Sequence, residues 1–338
     1  NRFRSVDQAR NTLASCAPNA ILFTGGDNDT FPLWYVQEVE GFRTDVRVVV
    51  LSYFSTDWYI KQMSRKVHES EALPLSVDLN EYRQGKNDIV YLRKTTENAM
   101  NVKGYLQLVN NDDASIKLMR EYTSMPTDKL FLDVDSSKVA NMDFIPVAQK
   151  SKVPNRMYFS LKPGKTYILK SDLAILDLMA TSNWERPIYF NNTSNNSSAI
   201  DLQDFLQVEG MAFRLMPYRM KDTDSEVGEV NTAVMAENMA KFQFRGFDDP
   251  DVFHDEEYRK FGANTRNSFL RLASAQFREG NKEAAIQTLD TALEQIPDES
   301  IPYSYFAPRF ADLYFRMGEF EKAKKLAEII GERSIESV

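Results

Sequence analysis

Residues 20–51 read AILFTGGDNDTFPLWYVQEVEGFRTDVRVVVL and hold two apolar runs on either side of an amphipathic segment. The first run, Ala20–Thr24, lies between a proline and two glycines, which favours a short buried strand. Pro32–Val39 is typical of a helix with proline in its first turn, and Gly41 follows its end. Asp45–Leu51 is rich in β-branched residues and predicts a second strand. Because a helix joins them, the two strands are expected to be parallel.

The pattern changes after this unit and then returns. Residues 70–165 contain separate runs with strand character and predict a strand-rich insertion. Strand and helix alternate again afterwards, with Thr166–Leu169 predicted as a strand and Asp201–Val208 as a short helix. The sequence therefore predicts an α/β domain over residues 1–228, built on a Rossmann-like, mostly parallel sheet.

Residues 229–338 are predicted to form an all-α tail. It begins with a helical linker and ends in two tetratricopeptide-like helix pairs. Small residues at helical spacing let two helices approach closely, and Gly280 and Gly318 mark the expected turns. Two pairs are fewer than the roughly three repeats needed for independent stability. The tail is therefore expected to need contacts with the rest of the chain for its stability.

Composition excludes several classes of partner. The formal net charge of -8 argues against nucleic acid, which attracts clustered Lys and Arg. The single cysteine, Cys16, allows no internal disulfide, and with only His68 and His254 a zinc site is not expected. We predict no metal and no cofactor.

The chain contains no run of the ~18 apolar residues that a membrane-spanning helix needs. It begins at Asn1 rather than Met and has no signal peptide. We interpret it as a segment of a longer gene product.

The strongest candidate for a ligand site follows the first predicted strand. The carboxyl ends of strands in an α/β sheet are where ligands usually bind. Free amides at the start of the next helix suit an anion, whereas carboxylate and amide oxygens suit Ca²⁺ or Mg²⁺. Alternatively, Asp29 or Thr30 caps the helix while the glycines make the turn. The candidate residues are Gly25, Gly26, Asp27, Asn28, Asp29 and Thr30.

No set of catalytic residues can be assembled from the sequence. With two histidines and one cysteine, no Ser-His-Asp or Cys-His arrangement can be argued. Pro163–Thr166 imitates the end of a phosphate-binding loop, but Phe159 stands where the pattern needs glycine. We therefore predict no catalytic residue in this chain.

Several stretches together resemble one family, the soluble C-terminal region of Bacteroidetes membrane proteins of the domain-of-unknown-function family 2723. That family is placed among polytopic glycosyltransferases similar to protein O-mannosyltransferases. The stretches that carry the resemblance are ILFTGGDNDTFPLWY at 21–35, QEVEG at 37–41, RTDVRVV at 43–49, TDWYI at 56–60, NWERPIYF at 183–190 and QVEG at 207–210.

The resemblance implies that the chemistry lies elsewhere in the parent protein. In such enzymes the acidic catalytic residue is expected in a periplasmic loop of the membrane part, which uses a lipid-linked sugar donor. The fragment itself is then not catalytic, while the parent is a glycosyltransferase. The implied location is the periplasm, with attachment to the inner membrane through an N-terminal part.

The leading hypothesis is a non-catalytic accessory domain that recognises acceptor protein or glycan, or stabilises its own membrane-embedded domain. Two alternatives belong to other classes. One is a small-ligand or metal-binding α/β domain with its site at Gly25–Thr30. The other is an interaction module that binds peptide on the helical repeats.

Overall fold

The computed structural model describes residues 3–119, 121–220, 227–249, 251–303 and 306–336. Its helices are α1 (Arg4–Ala14), α2 (Asp27–Glu40), α3 (Asp57–Met63), α4 (Val102–Asn110), α5 (Ser136–Val139), α6 (Lys170–Thr181), α7 (Asn192–Ser197), α8 (Thr232–Met239), α9 (Glu256–Arg278), α10 (Lys282–Gln295), α11 (Ala307–Arg316) and α12 (Phe320–Glu336).

Its strands are β1 (Ile21–Thr24), β2 (Arg47–Val50), β3 (Ile89–Leu92), β4 (Met100–Asn101), β5 (Lys117–Leu118), β6 (Tyr122–Met125), β7 (Lys129–Asp133), β8 (Arg156–Leu161), β9 (Tyr167–Leu169), β10 (Ile188–Phe190), β11 (Ile200–Asp201), β12 (Leu206–Val208), β13 (Phe213–Leu215) and β14 (Glu229–Val230).

The contacts group the chain into two compact units. The α/β unit consists of Cys16–Val208 and Ala212–Glu229. The helical unit consists of Asn1–Ser15, Glu209–Met211 and Val230–Val338. The expected division into domains 1–228 and 229–338 stays a prediction.

The main sheet of the α/β unit has the strand order β14-β12-β13-β10-β1-β2. Strand β1 pairs in parallel with β2, where Ile21 lies opposite Arg47, and with β10, where Ile21 lies opposite Ile188. On its other side β10 pairs antiparallel with β13, and β13 pairs antiparallel with β12. The expectation of a mostly parallel sheet is therefore wrong for this half. The link from β12 to β13 is too short for a helical crossover, so the two strands form a hairpin.

The strand-rich insertion forms two further sheets, with the orders β11-β8-β7-β4 and β5-β6-β3-β9. The strand predicted at Thr166–Leu169 forms as β9, which pairs antiparallel with β3 in one of these sheets. The short helix predicted at Asp201–Val208 is wrong for most of its length. Only Gln203–Phe205 form a 3₁₀ turn, and Leu206–Val208 are buried as strand β12. A short apolar run suits a buried strand as well as a buried helix, so its periodicity does not separate them.

Helix α6 lies at the centre of the α/β core. Every residue from Lys170 to Met179 is buried. The buried carboxylate of Asp177 accepts hydrogen bonds from the amides of Ser76 and Val77 and from the Tyr82 hydroxyl, at 2.9–3.0 Å. These bonds join the first part of the insertion to the core and satisfy a charge that would otherwise be costly to bury.

The described part of the helical unit ends in two helix pairs. Helix α9 packs against α10, and α11 packs against α12. Gly280 and Gly318 lie at the two turns with φ of +85° and +81°, a conformation that glycine adopts without strain. The expected helical region and its turns are confirmed from Glu256 onward, whereas the expected helical linker before it contains the single helix α8 within its described residues. No helix among the described residues is long and apolar enough to cross a membrane.

Candidate functional site

The segment Gly25–Thr30 leaves β1 at its carboxyl end and forms the start of α2. The helix begins at Asp27, with Gly26 as the residue before it and no side-chain cap. The alternative in which Asp29 or Thr30 caps the helix is therefore wrong, because both lie inside the first turn. Pro32 is not in the first turn as expected but lies further along the helix.

The polar side chains of this segment bond mainly to the protein around them. The Thr30 hydroxyl lies 2.6 Å from that of Thr24 and donates to the carbonyl of Gly26 at 2.7 Å. Asp29 Oδ2 accepts the amide of Gly25 at 3.2 Å and the side-chain amide of Asn191 at 3.1 Å. Asn191 follows β10, so Asp29 joins the ends of two neighbouring parallel strands.

Gly25 and Gly26 differ in how much space a Cβ atom would have at their positions. A Cβ at Gly25 would lie 2.5 Å from Cγ2 of Thr193 on α7, closer than two carbon atoms pack. A Cβ at Gly26 would meet nothing within 4 Å. Gly25 therefore allows close packing between the start of α2 and α7, whereas Gly26 is free of that constraint.

The structure brings the candidate residues together at one sheet end. Asp27 Oδ1 accepts the Tyr53 hydroxyl at 3.3 Å, so the segment reaches the residues after β2. In the part of the chain that the structure describes, no group of three or more His, Cys, Asp or Glu side chains is placed to hold a metal ion. Ligand binding by Gly25–Thr30 stays a prediction.

A cleft of about 350 Å³ lies next to this segment, and we call it the edge cleft. It runs along β2, the last strand of the main sheet, between α2, α3 and the turn at residues 67–70. Its lining residues are Trp34, Gln37, Glu38, Thr44, Val46, Arg47, Val48, Tyr53, Trp58, Tyr59, Gln62, Met63, Val67, His68 and Ser70.

Aromatic rings form a continuous series through the edge cleft. Trp34 lies 6.4 Å from Tyr53, and Tyr53 lies 5.9 Å from Trp58, measured between ring centroids. Trp58 also contacts Tyr59 edge to face at 5.4 Å, and 55% of Trp58 is exposed. Phe31 stacks on Trp34 at 5.7 Å and extends the series toward the start of α2. The cleft therefore presents aromatic surface that the protein itself does not cover.

The Tyr59 hydroxyl covers part of the open sheet edge. It accepts the amide of Val50 at 3.2 Å and lies 3.5 Å from the carbonyl of Val48. Burial raises the pKa of Tyr59 to about 12, and the hydrogen bond from Val50 offsets only part of that effect. The hydroxyl is therefore neutral at physiological pH and occupies the place that a neighbouring strand would take.

Two buried side chains in the edge cleft keep one polar atom each without a partner. Gln37 is 8% exposed, and its amide nitrogen donates to the carbonyls of Arg43 and Val46, both at 2.8 Å. Its Oε1 has no hydrogen bond within the described residues. Arg47 is 4% exposed, and its Nη1 is buried with no partner among those residues. One acceptor and one donor are thus left in the same cleft.

The remaining nitrogens of Arg47 fix the wall at residues 65–71. Nε donates to the Ser70 hydroxyl at 3.0 Å, and Nη2 donates to the carbonyl of Ser70 at 2.7 Å. Arg186 donates to the same hydroxyl at 2.7 Å, and burial together with the nearby Arg47 lowers its pKa to about 10. At the exposed side, His68 Nε2 lies 3.0 Å from both oxygens of Glu38 and joins this wall to α2.

The edge cleft is not evident from the sequence. Its residues come from three short segments, around Trp34, Arg47 and Trp58, and only the fold places them together. The available signal was the repeated pairing of aromatic residues just after each predicted strand. Such pairs are more often core residues, so the signal does not by itself distinguish a cleft from a core.

The fold and the cleft define a mixed α/β protein with an aromatic site at the edge of its main sheet. The model of one family, described as TMEM260-associated domain 2, matches residues 5–234, which is more than half of the chain. The chain therefore belongs to this family. The family is linked to TMEM260, which is O-mannosyltransferase-like, and at that level the expected resemblance is confirmed. No curated protein and no solved structure matches the chain.

Proposed function

We propose that the chain is the periplasmic, non-catalytic recognition domain of an O-mannosyltransferase-like membrane protein of family 2723. The observation that carries this proposal is the family match over residues 5–234. The partner in this proposal is the membrane-embedded domain of the same protein. Its substrate is an acceptor protein or the glycan on it.

The chemistry of the edge cleft supports binding rather than glycoside hydrolysis. Enzymes that cleave glycosidic bonds generally use two carboxyl groups on opposite sides of the bond. Glu38 is the one carboxylate among the cleft-lining residues that the structure describes, and it is paired with His68. A site with aromatic faces and few charged groups fits ligand recognition better.

The finer features of the fold belong to the same proposal. The parallel strands β10, β1 and β2 with α2 would form a Rossmann-like half-sheet whose carboxyl ends face the ligand. The pairs α9–α10 and α11–α12 would be tetratricopeptide-like repeats. Two such pairs are too few to be stable alone, so their role would include support of the rest of the chain.

The test compares the full-length parent protein with a version that lacks residues 5–234. We expect transfer of sugar from a lipid-linked donor to an acceptor protein to fall on deletion, while the purified chain alone transfers nothing. Membrane insertion of the deleted version is the control for folding of the remainder. Turnover by the isolated chain above a heat-inactivated blank would contradict the non-catalytic role.

A second candidate function is peptide binding on the helical unit. Phe315 and Phe320 are 60% and 58% exposed, and their ring centroids lie 5.2 Å apart at the turn between α11 and α12. Neighbouring exposed aromatic side chains are enriched at protein interfaces. Replacing both with serine should abolish capture of an acceptor peptide if this is the recognition surface, and should leave capture unchanged if it is not.

A further inference from the structure

We propose that the edge cleft binds a pyranose ring of a neutral glycan. This inference rests on the proposed recognition function and names the ligand class and the site. The aromatic series through Trp34, Tyr53 and Trp58 supplies stacking faces. Gln37 Oε1 supplies a hydrogen-bond acceptor of fixed orientation, and Arg47 Nη1 is a buried donor without a partner among the described residues.

The aromatic faces suit a sugar for an electrostatic reason. An aromatic ring carries negative charge on its face, and a pyranose ring presents C–H groups of small positive charge on one or both of its faces. Trp58 is 55% exposed, and its ring centroid lies 5.9 Å from that of Tyr53, so more than half of this side chain is open to a partner. A rigid aromatic side chain also loses little conformational entropy when a ligand covers it.

The unpaired polar atoms match the dual character of a hydroxyl group. A sugar hydroxyl donates one hydrogen bond and accepts others. Gln37 Oε1 is held as an acceptor because its amide nitrogen is bound to the carbonyls of Arg43 and Val46. Arg47 Nη1 is a donor with no partner among the described residues. Since leaving a buried donor unsatisfied is costly, a ligand hydroxyl that reached Arg47 Nη1 would gain free energy.

The charge of the cleft favours a neutral ligand over a sugar phosphate. Arg47 is the one side chain in its described lining that is always cationic, and most of its nitrogens are occupied by the wall at residues 65–71. The carboxylate of Glu38 lies in the same lining and would repel an anion. A volume of about 350 Å³ lies at the small end of ligand pockets, which suits one or two sugar rings.

The experiment uses the intrinsic fluorescence of the purified chain. Of the three tryptophans, Trp34 and Trp58 line the edge cleft, whereas Trp184 packs against the main core. A Trp184→Phe background therefore leaves the two reporters that the ligand should touch. Methyl α-mannoside, methyl α-glucoside, short α-mannosides, mannose 1-phosphate and an unglycosylated acceptor peptide are titrated in parallel.

We expect saturable fluorescence changes with one or more neutral glycosides. Trp58→Ala should weaken binding roughly tenfold or more, and Trp58→Phe should retain most of it. Tyr122→Ala is the matched control, since Tyr122 is 44% exposed on β6, away from the cleft. Circular dichroism and melting temperature verify that each variant is folded.

Three outcomes would overturn the inference. They are the absence of binding by any glycoside to folded protein, binding that is unaffected by Trp58→Ala, and tighter binding of the peptide or the sugar phosphate than of every neutral glycoside. None of these outcomes contradicts the proposed function itself. That function is tested separately, by the loss of transfer activity when residues 5–234 are deleted from the parent. If deletion has no effect but the glycoside binds, the recognition function fails while the site stands.

Discussion

In the Gly25–Thr30 segment the side chains of Asp29 and Thr30 bond to neighbouring parts of the protein. In the edge cleft, by contrast, Arg47 keeps a buried nitrogen that has no partner among the described residues. The Gly25–Thr30 segment resembles a ligand-binding loop in sequence, whereas the stretches that line the edge cleft do not. The comparison indicates that a polar sequence motif can serve mainly to hold two strand ends together. Unpaired polar atoms beside open aromatic faces are the stronger indication of a ligand.

The largest expected effect is a loss of stability on substituting Gly25, which tests whether this glycine is needed for close packing. Gly25→Ala should destabilise the chain by about 1–3 kcal/mol, because its Cβ would be forced against Thr193 on α7. Gly26→Ala should cost less than about 1 kcal/mol, because its Cβ meets open space and only the preference at the helix start changes. Urea unfolding of both variants measures the difference. Equal losses at the two positions would contradict the packing role of Gly25.

A somewhat smaller effect is expected at Asp29. Asp29→Ala removes two hydrogen bonds and leaves the Gly25 amide and the Asn191 side chain without that partner, a loss of about 1–2 kcal/mol. Asn28→Ala is the neighbouring control. Binding of glycosides should be unchanged by Asp29→Ala if the segment is structural. A variant of normal stability that no longer binds ligand would instead make Asp29 a ligand residue.

Much of the fold around the site could be predicted from local patterns. The runs at Ala20–Thr24 and Asp45–Leu51 produce β1 and β2, and they are parallel because α2 connects them. The helical tail and its two glycine turns also follow from local signals. The antiparallel half of the sheet was missed, because Leu206–Val208 owes its strand state to pairing with β13, a contact that its own sequence does not reveal.

The edge cleft could not be predicted for a related reason. Whether Trp58 faces solvent or core depends on where α3 ends and how residues 64–70 return to β2. Helix α3 ends at Met63, and the following turn forms a wall of the cleft. Arg47 secures that wall through Ser70, an interaction between residues on separate elements. The hydrophobic periodicity of a sequence indicates which residues share one face of a helix or strand. It does not indicate which helices and strands contact each other.

A smaller effect concerns the acid stability of the cleft. Asp45 accepts hydrogen bonds from Arg43 at 2.8 Å and from the Asn19 amide at 2.9 Å. Burial raises the pKa of Asp45, but these bonds and the charge of Arg43 outweigh it, so the pKa lies below its ordinary value of 3.8. A carboxyl with a lowered folded pKa adds stability above its unfolded pKa, and the contribution is lost as the pH falls through the folded value.

Stability should therefore decline below about pH 4 in the native chain, and less steeply in Asp45→Asn. The difference should be at most about 1 kcal/mol, because the pair is partly exposed. Chemical unfolding between pH 3 and pH 6 measures it. The carbonyl of Arg43 also accepts a hydrogen bond from the side-chain amide of Gln37. If the turn at residues 43–46 positions Gln37 in this way, Asp45→Asn should also weaken glycoside binding. Identical acid profiles for the two proteins would contradict the stabilising role of the Arg43–Asp45 pair.

The smallest expected effect is the response of the Gly25–Thr30 segment to divalent cations. Asp29 Oδ2 already accepts two N–H groups, and Asp27 Oδ1 accepts the Tyr53 hydroxyl, so a cation would have to displace these donors. Calcium usually takes six or more oxygen ligands, and the two carboxylates do not supply that shell. Millimolar Ca²⁺ or Mg²⁺ should therefore leave the melting temperature unchanged relative to a chelator-treated sample. A saturable rise of several degrees that disappears in Asp27→Ala would mean that binding to the folded state stabilises it. It would make the Gly25–Thr30 segment a metal site after all and reverse the contrast with the edge cleft.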